Sequence, residues 1–442
     1  MKKLLLVTTA LVGVVAISAP ASAAVKLDLG GFFRGYGVWA DNDDAGGASL
    51  NSFEFRRDTE FHAGGETTLD NGLTVGAHGE MKVATAGSST AITTDEIYAY
   101  GSGGWGRVNF GVEDGADYLL QVAAPSADSN IDGMRTTISS LNRQTLLSDN
   151  TAGTHVLDNS GLLNVGALPD YQHADQKSTD RISYLTPKYS GFQAGVSYAP
   201  KTGITSSMNG MASDVGTLGL HTGVAAGDTI ATFDNIWEAA ARWDGEFQGV
   251  GVSVGGGYSD SSLMLSPTTA EINALADNDY YINDGVTAYN GGLTLAWNGF
   301  SLGGNYLNAS TSRITENAAN TDVAGDITRE TWNAGLGWDN GPYHLGASYV
   351  DTATVYDAIG AAGDTKNILK SESDTNKYAI GGGYTFGPGM TFRGAYAWGD
   401  VKHKGNTGLT DADSNGADAG ETFTSADNNS YQQITVGTDI QF

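Results

Sequence analysis

Long stretches of the chain alternate between apolar and polar residues with a period of two. In residues 25–39, for example, Leu27 and Leu29 alternate with Lys26 and Asp28. Because successive side chains of a β-strand point to opposite faces, this pattern predicts a strand with one apolar face and one charged face. Such a strand fits the boundary between lipid and water in the wall of a transmembrane β-barrel.

Tight-turn sequences join the alternating segments into hairpins. Asn-Gly and Asp-Gly favour such turns because these residues tolerate positive φ angles. The seven predicted turns lie at residues 70–72, near Trp105, and at residues 189–191, 244–245, 298–299, 339–341 and 387–389. With one strand before the hairpins and one after, the prediction is sixteen strands. An even number lets the first and last strands pair antiparallel, so that no backbone edge stays unpaired in lipid.

The connections between the hairpins are longer and polar, and the strands are expected to have the roughly 9–11 residues that span a bilayer. The long connections include residues 40–52, 113–180, 200–235, 259–285, 308–328, 351–376 and 399–430. Short periplasmic turns and long external loops are typical of outer-membrane barrels. Aromatic residues near the strand ends, such as Trp297, Trp338 and Trp398, predict a girdle at each membrane border.

The N-terminus has the pattern of a secretory signal peptide. Two lysines precede an apolar run over residues 4–17, and an Ala-Ser-Ala sequence ends at Ala23. The apolar run is shorter than the roughly 20 residues of a membrane-spanning helix. We therefore expect a cleaved signal peptide over residues 1–23 and a single barrel domain over residues 24–442.

Composition narrows the classes of partner. The chain has no cysteine, so its fold uses no disulfide and no thiolate metal site. It carries 23 basic and 50 acidic residues, for a net charge of -27. Such an acidic chain is a poor partner for nucleic acid.

Three segments resemble Gram-negative general porins, especially the alpha-proteobacterial type. They are RISYLTPKYSGFQAGVSYAP, which starts at Arg181, RRDTEFHAGGETTLDNGLTVGAHGE, which ends at Glu80, and YQQITVGTDIQF, which ends at Phe442. The last resembles an outer-membrane assembly signal. The resemblance implies a homotrimer of sixteen-stranded barrels in the outer membrane of a Gram-negative bacterium, surrounded by lipid and lipopolysaccharide. It also implies that the third external loop, here residues 113–180, folds into the pore and narrows it.

The inward charges are the candidate functional residues, because pore size and lining charge set the selectivity of a channel. We expect acidic residues of the constriction loop to face a basic cluster on the wall and to create a transverse field. The alternative is that each arginine pairs locally with a carboxylate in the lumen. Arg57 is out of phase with its neighbours and faces the lumen only if the strand is irregular. The predicted lining residues are Arg34, Arg56, Arg57 and Lys82 on the wall, and Glu113, Asp114, Asp117, Asp128 and Asp132 in the loop.

No cofactor is expected, although external acidic stretches supply oxygen ligands for Ca²⁺. These stretches lie around residues 41–44 and 411–418, and the ions would bridge them to lipopolysaccharide phosphates. Neither stretch has the spacing of an EF-hand. The sequence contains no G-x-S-x-G, H-E-x-x-H or G-x-x-x-x-G-K motif, so an enzyme is not expected.

Three functions stay open at this point. The leading interpretation is a general diffusion porin for small hydrophilic solutes and ions, with a preference for cations because acidic residues dominate the loops. A porin selective for sugars or organic ions ranks second, since only Phe32 and Tyr36 are candidate aromatic residues in the lumen. An outer-membrane barrel enzyme such as a phospholipase ranks third. Its candidates His344 and Ser348 are more than about 13 Å apart along one strand.

Overall fold

The computed structural model describes residues 25–42, 52–86, 89–128, 179–201, 232–264, 280–283, 285–316, 322–359, 370–405 and 425–442. The predicted signal peptide lies outside these residues and stays a prediction. In the described part, the chain forms seventeen β-strands and one short helix. No helix in this part is long and apolar enough to cross a membrane.

The strands follow one another as hairpins. They are β1 (Lys26–Asn42), β2 (Phe53–Thr68), β3 (Thr74–Ala86), β4 (Ser89–Gly103), β5 (Gly106–Glu113), β6 (Thr179–Leu185), β7 (Phe192–Lys201), β8 (Thr232–Phe247), β9 (Val250–Met264), β10 (Tyr280–Asn283), β11 (Thr287–Trp297), β12 (Phe300–Glu316), β13 (Asp322–Asn340), β14 (Tyr343–Ile359), β15 (Lys370–Gly387), β16 (Met390–Gly405) and β17 (Ser425–Gln441). The helix α1 (Ala116–Leu119) follows β5.

The barrel has sixteen spanning strands, as the sequence predicted. Strands β10 and β11 both pair with β12 and are separated by three residues, so they form one interrupted strand. Every pairing is antiparallel and joins neighbours along the chain, and β1 pairs with β17 from Phe32↔Gln441 to Asn42↔Tyr431. Backbone hydrogen bonds between Gly31 and Phe442, 2.9 and 3.1 Å long, complete the closure. The barrel therefore has no open edge, which is what lipid requires.

Side chains alternate between the two faces of the barrel. In β13, Trp332 and Leu336 are 54% and 49% exposed on the outside, whereas Thr331 and Asn333 between them are buried inside. The outward apolar residues form the lipid-facing surface. A charge placed there at the bilayer midplane would cost about 2–4 kcal/mol, which explains why the charged residues fall on the inward positions.

Aromatic contacts concentrate at both ends of the strands and confirm the two predicted girdles. Near the short turns, the rings of Phe300 and Trp338 lie 6.5 Å apart. Toward the long connections, the ring of Tyr378 lies 4.7 Å from Tyr349 and stacks on Trp398 at 5.7 Å. Amphipathic rings favour the interface between hydrocarbon and water, so these two levels mark the borders of the membrane.

One predicted turn is wrong. Asp244 and Gly245 were expected to form the turn, but they continue β8 and pair with Ser253 and Val252. The chain turns instead at Gln248 and Gly249, whose φ angles are 51° and 83°. A glycine at the second position permits this turn, and the pairing of β8 with β9 continues for four residue pairs beyond Trp243, where the strand was predicted to end.

Most strands are longer than predicted on the side of the long connections. β13 has 19 residues instead of about ten, so only residues 317–321 separate it from β12. Likewise β3 and β4 are separated by residues 87–88 alone. Outside the membrane neither face of a strand contacts lipid, so strands continue through polar residues where the alternation that marked the membrane part is absent.

Charge on the outer face gives a test of the barrel's orientation. Leu336 lies between Trp332 and Trp338, which belong to opposite girdles, so Leu336→Arg places a guanidinium near the middle of the hydrocarbon. We expect the free energy of unfolding in lipid vesicles, measured with urea, to fall by about 2–4 kcal/mol. The control Leu336→Ala removes apolar surface without adding charge and should lose less. Equal losses for the two variants would contradict the lipid-facing assignment.

Candidate functional site: the barrel interior

The chain after β5 turns into the barrel and lies against its inner wall. We call residues 114–128 the inner segment. At its start, the backbone N–H of Ala116 donates to Ser197 Oγ at 3.1 Å. Further along, the N–H of Ala124 donates to Asn305 Oδ1 at 3.2 Å. The predicted folding of the third connection into the pore is therefore confirmed for these residues, and residues 129–178 lie outside the described part.

Glycines on the wall make room for the inner segment. A Cβ at Gly335 would lie 1.9 Å from the carbonyl oxygen of Pro125, and a Cβ at Gly292 would lie 2.0 Å from that of Val122. No side chain fits at such distances, so the backbone of the segment lies directly on the backbone of the wall. Further close approaches occur at Gly255, Gly257, Gly303 and Gly346. Glycine in these strands therefore serves close packing.

A buried ion pair lies beneath the start of the inner segment. Arg181 Nη1 and Glu238 Oε1 are 2.8 Å apart, and both side chains are almost fully buried. Ser197 donates to the second carboxylate oxygen of Glu238 at 2.7 Å and accepts from Ala116 N–H. The ion pair is thus linked to the inner segment through a continuous series of hydrogen bonds. Removing one member of a buried pair leaves an uncompensated charge, which costs about 3–5 kcal/mol.

The described end of the inner segment meets a second charged group. Arg393 Nη2 lies 3.3 Å from Asp128 Oδ2, and Nη1 of the same guanidinium pairs with Asp439. The Tyr36 hydroxyl donates to Asp439 as well. Asp128 does face an arginine, as expected of an acid in the loop. That arginine is Arg393 on β16, which was not among the predicted wall residues.

The predicted wall residues Arg34, Arg56 and Lys82 all point inward and have local carboxylate partners. Arg34 lies 3.5 Å from Asp58, and Arg56 lies 2.6 Å from Glu54. Lys82 contacts two carboxylates at 2.8 and 3.0 Å. These distances agree with the alternative that each cation pairs locally.

Arg57 lies opposite Gly35 in a regular stretch of the pairing between β1 and β2. Its neighbours Arg56 and Asp58 point inward, so Arg57 belongs to the outward face. The irregularity that would turn it into the lumen is absent from this stretch of the two strands. Arg57 is therefore not a wall residue of the channel.

Of the predicted acidic residues of the loop, Glu113, Asp117 and Asp128 do not face the basic cluster on β1–β3. Glu113 is buried and accepts a hydrogen bond from Asn109 Nδ2 at 2.5 Å. Asp117 is fully buried in α1 and accepts from Asn290 Nδ2 at 3.3 Å. Asp114 is the first residue after β5, and Asp132 lies outside the described residues. Glu113 is the last residue of β5 and so belongs to the wall itself, whereas Asp117 and Asp128 of the inner segment are bound to the wall.

The inward face of β1–β4, which we call the open wall, keeps exposed charged groups. The side chains of Arg56 and Lys82 are 44% and 40% exposed. The helix α1 and the inner segment beyond it contact strands between β6 and β16, so they do not cover these side chains. The cations of the open wall do not balance its carboxylates. Arg34 pairs with Asp58 and Arg56 with Glu54, but Lys82 is shared by Glu60 and Asp95.

Aromatic and imidazole rings also line the open wall, and sequence reasoning missed Tyr98 and Tyr100 among them. Phe32 and His62 lie 6.1 Å apart, His62 and His78 lie 5.9 Å apart, and His78 and Tyr98 lie 5.4 Å apart. Tyr100 continues the series at 6.5 Å from Tyr98. The turn at residues 70–72 fixes which residues of β2 and β3 lie side by side. This register was the feature of the sequence from which the row of rings on β2 and β3 could have been predicted.

Comparisons with known proteins agree with this architecture. A family model described as Gram-negative porin matches residues 8–404. A curated protein of Rickettsia bellii (strain RML369-C), described as uncharacterized, is 27% identical over 205 residues, which is 40% of this chain and 45% of that protein. The chain therefore spans less than half the length of this relative.

Solved structures show the same fold at low sequence identity. In-vitro folded OmpT, an outer membrane protein of Vibrio cholerae, superimposes with a TM-score of 0.53 and 12% identity, covering 97% of this chain and 100% of that one. The loop L8 deletion mutant of the same protein superimposes with a TM-score of 0.51 and 13% identity, covering 95% of this chain and 99% of that one.

The close contact at Gly335 gives a test of the inner segment. In Gly335→Ala the new methyl group collides with the carbonyl of Pro125, so the segment must move off the wall. Overpacking of this kind typically costs about 1–3 kcal/mol, which urea unfolding of the detergent-solubilised barrel would detect. The control Gly251→Ala is also inward, but its nearest neighbour would be 3.6 Å away, so its stability should stay unchanged. Equal stability of the two variants would show that the segment does not rest on Gly335.

Proposed function

The chain belongs to the Gram-negative porin family, and from this premise we propose that it is a general diffusion porin of the outer membrane. It forms a water-filled channel for small hydrophilic solutes and ions. The observation that supports this most directly is a closed barrel of sixteen strands with a polar, charged interior. A barrel of that width encloses more space than its own side chains fill, which leaves an aqueous path.

We propose a preference for cations. Among the ion pairs of the open wall, four cations meet six carboxylates: Lys26 pairs with Glu66, Arg34 with Asp58, Arg56 with Glu54, and Lys82 with Glu60 and Asp95, while Glu80 contacts histidines. Glu80 contacts only His62 and His78 in these pairs, and no lysine or arginine. The excess of negative charge lies in the channel itself, so it acts on a passing ion within the screening length of about 8 Å.

A porin selective for sugars or organic ions is the second candidate. The series of rings on the open wall favours this candidate, since the faces of aromatic rings can bind the apolar faces of sugars. Arg107 lies over Tyr100 at 3.9 Å from the ring centre and adds a cation beside the series. The rings meet edge-on or tilted in a row that follows neighbouring strands, and this geometry suits a sliding solute more than a single deep pocket.

A barrel enzyme has less support. His344, the candidate base, contacts Asp339 at 2.8 Å and the carbonyl oxygen of Ser126 at 3.2 Å. These contacts hold the inner segment to β14 instead of activating Ser348. We propose that the protein is a channel and not an enzyme.

The homotrimer is also a proposal, supported by membership of the family. Ca²⁺ bridges to lipopolysaccharide stay a prediction. Asp41 lies at the end of β1, and residues 43–44 and 411–418 lie outside the described part.

Single-channel recording in a planar bilayer with a tenfold KCl gradient tests the ion preference and the trimer together. We expect a reversal potential that shows a preference for K⁺. We also expect the conductance of one inserted particle to fall in three equal steps as the three channels of a trimer close. Asp95→Asn removes a carboxylate beside Lys82 and should lower the permeability ratio of K⁺ to Cl⁻. A unit charge ~10 Å away in water is worth about 0.4 kcal/mol, so the change should be roughly twofold.

The matched control is Asp70→Asn, which removes the same charge from an exposed turn at the end of the strands. It should leave the permeability ratio unchanged. A preference for Cl⁻, or equal shifts from the two variants, would contradict the assignment of the open wall as the selective surface. Micromolar block by an oligosaccharide with weak ion preference would favour the second candidate function.

A further inference from the structure

We propose that His62, His78 and Glu80 form a binding site for a divalent transition-metal ion of the Zn²⁺ type on the open wall of the channel. One ligand atom from each of these side chains lies within 4.8 Å of the others. Formation of the site does not depend on the proposed permeation function, because it needs only the folded barrel. It goes beyond a general diffusion pore, which requires no metal.

The hairpin of β2 and β3 brings the three side chains together. His62 is paired with Glu80 across the two strands, and His78 lies two residues before Glu80 on the same inward face. Glu80 Oε1 is 2.8 Å from His78 Nε2 and 3.7 Å from His62 Nδ1. Tetrahedral zinc with bonds of about 2.0–2.2 Å requires ligand atoms roughly 3.3–3.5 Å apart, so small rotations of these side chains suffice.

The donor set selects the kind of metal. Two imidazole nitrogens and one carboxylate suit Zn²⁺ and its neighbours in the transition series, whereas Ca²⁺ and Mg²⁺ prefer oxygen ligands. Side chains of His62 and His78 are 32% and 27% exposed, so water can reach the fourth position. Two histidines and one carboxylate with a water molecule form a common zinc geometry in proteins.

The second nitrogen of His62 has the partner that a metal ligand usually has. His62 Nε2 lies 3.2 Å from Glu60 Oε2 while Nδ1 faces Glu80. Glu60 is itself held by Lys82 at 2.8 Å. A carboxylate on the far nitrogen orients the ring and fixes the tautomer, so that the other nitrogen is free to bind a metal. The surroundings therefore hold His62 in the orientation that the site needs.

A neighbouring group of carboxylates serves as a contrast. Glu60, Glu80 and Asp95 also bring oxygen atoms within 4.8 Å of one another. The ammonium group of Lys82 lies between Glu60 and Asp95, at 2.8 and 3.0 Å. A cation of the protein already neutralises this group, whereas the described ion pairs place no lysine or arginine against Glu80. The histidine site is thus the one suited to an added ion.

Other inward groups close the surroundings of the site. Phe32 meets His62 edge-on, and Tyr98 packs against His78. A Cβ at Gly64, the residue paired with His78, would lie 3.7 Å from His78 Nδ1. Rings on two sides and a glycine on the wall restrict how far the imidazoles can turn. The site is preorganised on two paired strands, which favours precise ligand geometry.

Isothermal titration calorimetry of the detergent-solubilised barrel with ZnCl₂ tests the site, with MgCl₂ as the comparison ion. We expect one Zn²⁺ per barrel and no matching signal for Mg²⁺. His62→Gln and His78→Gln should each weaken Zn²⁺ binding at least tenfold, and Glu60→Gln should weaken it about 10–100-fold through the orientation of His62. Each variant is first shown to be folded by its β-sheet circular dichroism and its resistance to unfolding in detergent.

The matched control is His344→Gln. His344 has a carboxylate partner at the same distance as His78, in Asp339 at 2.8 Å, but no second histidine belongs to its group. Its loss should leave Zn²⁺ affinity unchanged.

X-ray absorption at the zinc edge should show two imidazole nitrogens. The proposal is overturned by Zn²⁺ binding that is unchanged in His62→Gln and His78→Gln, by the absence of saturable binding at millimolar Zn²⁺, or by a spectrum without imidazole. Because binding is measured without a membrane, its outcome is independent of the conductance experiment.

Discussion

The antiparallel pairing of β1 with β17 is the interaction on which the rest of the structure depends. Lipid offers no hydrogen bonds to the backbone, so a sheet with two free edges would leave a row of polar groups unpaired in hydrocarbon. The pairing of Phe32 with Gln441, and the bonds between Gly31 and Phe442, remove both edges at once. Closure also separates an outer face that meets lipid from an inner face that meets water, and the charged pairs that hold the inner segment and line the open wall lie on the inner face.

The interior is organised by a second constraint, which is the space that the inner segment needs. Residues 114–128 contact wall strands where glycine replaces side chains, as at Gly292 and Gly335. Where side chains remain, they hold the segment, through Ser197 at its start and Arg393 at its described end. Covering one side of the wall leaves the other side to water. The asymmetry of the channel thus follows from where glycine occurs in the strands.

Features with a local cause could be predicted from the sequence, and features with a distant cause could not. Alternation and tight turns were sufficient for sixteen strands, closure and the inward position of Lys82. The turn at Gln248 was missed because Asp244-Gly245 has the stronger local preference, and the pairing of whole strands overrides it. The partner of Asp128 was missed because Arg393 lies 265 residues away, and its position depends on the path of the inner segment. The alternation of apolar and polar residues does not indicate where the inner segment runs inside the barrel.

The closing strand pair has a consequence for how the protein is made. Tyr36 and Asp439, which bond across this pair, are 403 residues apart in the chain. No contact of the first strand with the last can form until the C-terminus has left the ribosome, and pairs so distant in sequence form slowly. Until this pairing forms, the apolar outer face of the strands is unprotected and prone to aggregate. The bond that completes the barrel is therefore also the one whose late formation leaves the unfolded chain longest at risk of aggregation.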